Sequence, residues 1–177
     1  MDIKYEIEPV FKIEFFKIKC CDFKNKREHL EEILKQYPEM PVSNFKSNRN
    51  KADFTWQLQE IFKDEFNFIK IKYNKNINVT RSWSVTYDKG DYHIPHNHSS
   101  QGYSGILYLR MKKDSPKTSY IQPWNSERDR TRSYCPTVEE GDIMIVPQFL
   151  LHYTEPNKIK FKKRILSFDF NLEPVLF

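Results

Sequence analysis

The stretch Val79-Thr80-Arg81-Ser82-Trp83-Ser84-Val85-Thr86-Tyr87, continued by Asp88-Lys89-Gly90-Asp91-Tyr92-His93-Ile94-Pro95-His96-Asn97-His98, decides how this chain folds. Trp83, Val85 and Tyr87 alternate with Ser82, Ser84 and Thr86, the period of two that marks a strand with one buried face. Gly90-Asp91 then reads as a turn. Pro95 and that turn argue against a helix around the histidines. On a helix His96 and His98 would point about 200° apart, whereas on a strand they share a face. Two imidazoles on one face can reach one ion.

Downstream the same grammar continues. Ser104–Met111, Thr118–Gln122 and Asp142–Val146 read as strands, the last after a Glu140-Gly141-Asp142 turn, and Lys163–Leu172 closes the series. Upstream the period changes. Val10–Lys19 is a first strand candidate. Leu30, Ile33, Leu34 and Tyr37 then fall at i, i+3, i+4, i+7 of a helix that Pro38 ends. Ser43–Lys51 reads as a loop. A second helix is predicted from near Asp53, with Phe54, Leu58, Ile61, Phe62 and Phe66 on its core face. The result is a mainly β chain, a barrel or sandwich preceded by helices. We read 1–177 as a single domain, with an N-terminal strand and supporting helices over 1–78 and a β core over 79–177.

Composition agrees. Of 177 residues 38% are hydrophobic, 15% aromatic and 30% charged, enough to build a core and unlike a disordered tail. No run approaches the ~18 apolar residues of a membrane span, and MDIKYEIEPVFKIEFF mixes charge into its apolar run, unlike a secretory signal. The three cysteines, Cys20, Cys21 and Cys135, form no Cys-x-x-Cys pair and read as reduced thiols in a cytoplasmic protein. A net charge of +5 is modest and spread out. It reads as a solvated face and leaves nucleic acid or an acidic substrate open.

All four glycines and four of the five histidines lie from position 90 onward, so tight turns and metal-binding groups share one region. A catalytic metal needs a third ligand and open positions. His152, after the apolar Asp142–Val146 and the bend at Pro147, is the best candidate. Spacing alone leaves surface or structural histidines as the alternative. His93, three before His96, faces the other side of a continuous strand and reads as a supporting or surface residue. His29 belongs to the first helix.

Four blocks resemble the 2-oxoglutarate and Fe(II)-dependent oxygenase superfamily, in particular a prolyl-hydroxylase-like branch found in phages and bacteria. They are Trp83-x-x-x-Tyr87-x-x-Gly90-Asp91-x-x-x-Pro95-His96-x-His98, Ser104-Gly105-Ile106-Leu107-Tyr108-Leu109, Glu140 to Pro147 followed by Leu151-His152, and Arg164 to Asn171. The resemblance spans Val79 to about Leu172. It implies a double-stranded β-helix, a jelly-roll or cupin-like fold braced by N-terminal helices. It further implies a dioxygenase, here a hydroxylase, that couples oxidative decarboxylation of 2-oxoglutarate to succinate with C–H oxidation of a substrate by O2. His96, His98 and His152 are then the metal and catalytic residues. His98 stands where the superfamily usually has Asp or Glu, which also leaves open a three-histidine, 2-oxoglutarate-independent site or a non-catalytic β-sandwich.

On that resemblance a cation deep in the barrel holds the far carboxylate of 2-oxoglutarate. Arg164 is the candidate, because its fork matches a carboxylate. Lys163 replaces it if the strand shifts by one residue. Tyr108 offers its hydroxyl to the same carboxylate, and Tyr87 either joins that pocket or sits in the core. Trp124, Arg128, Arg130 and Arg132 are expected near the pocket mouth. The substrate is not legible: a peptide side chain such as proline, a nucleotide and a small metabolite all fit.

Overall fold

The computed structural model describes residues 13–41, 48–50, 54–124 and 131–174. Eleven strands and three helices follow in the order β1 (Phe16–Lys19), α1 (Phe23–Lys35), β2 (Glu39–Pro41), β3 (Asn48–Asn50), α2 (Thr55–Ile61), α3 (Lys63–Tyr73), β4 (Lys75–Tyr87), β5 (His93–His96), β6 (Tyr103–Arg110), β7 (Thr118–Ile121), β8 (Ser133–Tyr134), β9 (Asp142–Pro147), β10 (His152–Thr154) and β11 (Lys163–Pro174). They form two antiparallel sheets: β1-β9-β6-β11-β4-β3-β2 and β5-β10-β7-β8. This is the mainly β, jelly-roll architecture expected from the sequence. Two details differ. Asn48–Asn50 lies in the expected loop, yet it pairs with β4 as a short strand. The second helix is two helices, α2 and α3, meeting at Phe62.

The helices cover the outer face of the large sheet. Leu30, Ile33 and Leu34 of α1 and Leu58, Phe66 and Ile69 of α2 and α3 pack in one core with Leu107, Leu109, Ile143, Ile145, Leu166, Phe168 and Phe170. Each such side chain, taken fully out of water, contributes roughly 1.5–3 kcal/mol. Gly105 is required for this packing. A Cβ there would meet the Phe168 ring at 2.0–2.6 Å.

The inner face of the large sheet carries Trp83, Val85, Tyr87, Ile106, Tyr108, Met144 and Ile165. Strands β6 and β9 are thus buried on both faces, which is why they read as continuous apolar runs rather than alternating ones. Along β11 the odd positions Lys163, Ile165, Ser167 and Asp169 face inward, and Leu166, Phe168 and Phe170 face the helices. A bulge in β4 opposite Asp169 and Phe170 pairs Arg81 with Asp169 and Val79 with Phe170. The extra residue, Thr80, resets the alternation, so Val79 joins the helix-side core while Arg81 turns to the inner face.

Candidate active site

The small sheet brings the distant histidines together. In its register His152 of β10 lies opposite His96 of β5 on one side and Tyr120 of β7 on the other. His98 follows just beyond β5, where its backbone N–H donates to the Gln148 carbonyl at 3.1 Å. The ligand atoms of His96, His98 and His152 all lie within 4.8 Å of one another. Ring centroids are 4.4 Å apart for His96 and His152 and 5.1 Å for His98 and His152. The expected convergence is present.

Each ring is tied at Nδ1. His96 Nδ1 lies 2.8 Å from the Ile94 carbonyl, and His152 Nδ1 lies 2.9 Å from that of Leu150. A neutral imidazole donates there from Nδ1 and keeps a lone pair on Nε2 for a metal. Burial keeps both rings neutral. It lowers the His96 pKa and, with the His96 ring beside it, holds His152 down to about 3. His93 is not one of the convergent set. Its Nδ1 lies 3.2 Å from the Tyr87 hydroxyl, and its ring flanks His96.

The histidines open on a cleft of about 260 Å³ between the two sheets, lined among others by Arg81, Trp83, Tyr87, Thr118, Thr154 and Ser167. Lys163 faces the interior beside it. Its ammonium is fully buried, 4.5 Å from the Tyr87 ring centre and 5.7 Å from that of Tyr108. Neither Lys163 Nζ nor Thr118 Oγ1 has a hydrogen-bond partner. Burial pushes the Lys163 pKa down to about 7. It raises the phenols too, that of Tyr108 to about 12. A buried cation and a hydroxyl without partners are the groups that a carboxylate ligand satisfies. The interior therefore fits a metal chelator with a second carboxylate.

Arg164 does not face this interior, and the expected register is corrected here. Its guanidinium lies on the helix side of β11. There it donates to Glu31 at 2.7 Å, to Glu39, and to the Thr86 hydroxyl at 3.2 Å. The alternation of β11 sends consecutive residues to opposite faces, and Leu166, Phe168 and Phe170 fix which face is which. Trp124 and Arg132 also lie elsewhere. They border a separate cleft with Phe15, Tyr120, Tyr134 and Leu150. Arg128 and Arg130 fall outside the described residues.

Three supporting residues carry no local sequence signal. Asp169 meets His98 from 71 positions away. Ser104 donates to that carboxylate. Asn157, fully buried, donates to the carbonyls of Tyr87 and Phe161 at 3.0 and 2.8 Å and so fixes the end of β4. Among the described residues no helix is long and apolar enough to cross a membrane.

No curated protein matches the sequence. Solved structures do match in fold. HygX from Streptomyces hygroscopicus, crystallised with nickel, 2-oxoglutarate and hygromycin B, superposes with a TM-score of 0.64 at 13% identity, over 92% of this chain and 84% of that one. The non-heme alpha-ketoglutarate-dependent epimerase SnoN from nogalamycin biosynthesis gives 0.68 at 8% identity, over 88% and 76%. A Pseudomonas putida prolyl-4-hydroxylase gives 0.59 at 11% identity, over 89% and 91%. These likenesses establish the fold, and none points to a phage source. The sequence itself matches the family model described as putative 2OG-Fe(II) oxygenase over residues 81–171, the segment that runs from the inner strand β4 through all three histidines to the end of the shared β11 face. The histidine convergence and that match, which spans just over half of the chain, place the protein in the 2OG-Fe(II) oxygenase family.

Proposed function

We propose that the protein is a 2-oxoglutarate-dependent oxygenase, acting as a hydroxylase, in which His96, His98 and His152 hold Fe(II) through Nε2. When bound, iron and 2-oxoglutarate together supply the oxidising chemistry, with O2 as oxidant and succinate and CO2 as products. The chain's own contribution is placement. Lys163, rather than Arg164, receives the far carboxylate, and the hydroxyls of Tyr87, Tyr108 and Thr118 stand around it. The single observation that carries this reading is Lys163 Nζ, buried and without a hydrogen-bond partner in the interior that the three imidazoles close.

A buried ammonium without a counter-charge is destabilising by itself. An arriving carboxylate supplies the missing partner, and the low local dielectric strengthens the pair. The cleft is small, so it holds the cosubstrate and one reacting group of the substrate. Arg81, Trp83, His93 and Asn97, which also line it, then meet what remains of the substrate. A peptide side chain and a small metabolite are both compatible with that rim.

The test is anaerobic titration of the Fe(II)-loaded protein with 2-oxoglutarate, followed by succinate measurement on admitting O2. We expect saturable binding and slow succinate formation without substrate. Iron-loaded protein that neither binds nor consumes 2-oxoglutarate would overturn the reading.

A further inference from the structure

The three imidazoles are held from behind in two different ways. His96 and His152 turn Nδ1 to neutral backbone carbonyls. His98 turns Nδ1 to a carboxylate, Asp169 Oδ1, at 2.7 Å. Asp169 is 1% exposed. Its Oδ1 also accepts from the Ser104 hydroxyl at 2.6 Å, and its Oδ2 accepts from Arg81 through Nε at 3.0 Å and through Nη2. The carboxylate is therefore fixed on both oxygens and cannot swing away from His98. No Asp or Glu is among the described residues that line the cleft.

We infer that Asp169 is a positioning residue for the metal centre, which aims His98 Nε2 and supplies the negative charge that three neutral imidazoles lack. The inference rests on the reading of the histidines as metal ligands. A carboxylate hydrogen-bonded to the far nitrogen of a ligating histidine fixes its tautomer and raises its basicity, and losing such a partner weakens metal binding roughly 10–100-fold. Arg81 tempers the effect. Its guanidinium is largely exposed and shares the same carboxylate from the solvent side, so part of the Asp169 charge is spent on it.

The arrangement distinguishes charge from shape. Asp169→Asn keeps the size of the side chain and an oxygen facing His98, and removes the charge. His98→Asp places a carboxylate among the ligands themselves, directly against Asp169. In that background Asp169 becomes a repulsive neighbour, and neutralising it helps.

The experiment is calorimetric and optical titration of the purified chain with Co(II), in wild type, D169N, H98D and H98D/D169N. We expect D169N to bind Co(II) at least 10-fold more weakly with a shifted visible absorption band, and H98D/D169N to bind more tightly than H98D. A purely structural role for Asp169 would lower both pairs alike. Wild type that binds no Co(II) overturns the metal-site reading and this inference with it. Wild type that binds, with D169N within twofold of it, overturns this inference alone. If D169N does not fold, R81Q serves, because it leaves the buried carboxylate uncancelled. Tighter Co(II) binding in R81Q supports the assignment, and unchanged binding overturns it.

Discussion

Lys163 and Arg164, adjacent on β11, carry their charges to opposite faces of the large sheet. The Lys163 ammonium is buried above Tyr87 and has no hydrogen-bond partner. The Arg164 guanidinium is ion-paired with Glu31 and Glu39 against the helices. One cation awaits an anion, and the other has found two.

Exchanging these cations for apolar side chains separates their roles. We expect Lys163→Met to weaken 2-oxoglutarate binding about 100-fold, the scale of a buried charge pair that loses one partner, with an unchanged or higher melting temperature. Arg164→Met should do the reverse, lowering stability by about 1 kcal/mol or more and leaving cosubstrate affinity within a few-fold. Calorimetry with 2-oxoglutarate and a thermal melt on each variant decide it. Loss of binding in the Arg164 variant alone would reverse the assignment.

The same lysine gives stability a defined pH dependence. Its pKa is about 7 in the folded chain and about 10.4 when unfolded. Burial is the cause, opposed weakly by Cys135. Between these values the unfolded chain binds the extra proton, so this group makes stability rise with pH from about 7 to 10. Below pH 7 both states are protonated and the burial penalty is complete. Denaturant melts across this range should show a rise in wild type that is reduced in Lys163→Met. Cosubstrate affinity should follow the opposite trend, falling above pH 7 as the ammonium deprotonates.

His152 and His93 should respond differently to truncation. Wild type should melt several degrees higher with saturating Ni(II), since a ligand that binds only the folded state stabilises it. His152→Ala should abolish that increment. His93→Ala, which loses its contact with the Tyr87 hydroxyl and no ligand atom of the triad, should retain it. An increment that survives His152→Ala would remove this residue from the centre.

Gly105→Ala tests the packing beneath the site. The added methyl would collide with the Phe168 ring. We expect a loss of about 1–3 kcal/mol, the usual range for overpacking, read as a lower denaturant midpoint. Gly105→Ala combined with Phe168→Leu should recover part of it. Full stability of the single variant would contradict the close approach.

Much of the site was legible because its signals are local. The Trp83, Val85, Tyr87 alternation survives because one face of β4 meets the cleft. The two-residue spacing of His96 and His98 needs only an extended backbone to converge. The face of β11 was harder. Lys163-Arg164-Ile165-Leu166-Ser167-Phe168-Asp169-Phe170 can be read with either cation inward, and a preference for guanidinium chemistry chose the wrong one. The signal was the bulk of Leu166, Phe168 and Phe170, which belong to the larger, helix-covered core and so send the even positions away from the cleft. Asp169 could not be found from sequence, because its partnership with His98 exists only once β11 of the large sheet meets the segment that follows β5 of the small one. The bulge at Thr80 was hidden for the same reason. Trp124 and Arg132 misled through composition: an aromatic beside arginines describes a surface but not which opening it borders.

The two-sidedness of β11 constrains how this protein can evolve. Its even positions seat the helices and its odd positions face the cleft side, so a single inserted or deleted codon within the strand would exchange the two sets at once. Phenylalanines would enter the histidine-lined cleft while lysine and aspartate were driven into the oily layer. Substitutions can accumulate on either side independently, but changes of length cannot. Among descendants of this gene, variation in length should therefore concentrate in the connecting loops and spare this strand.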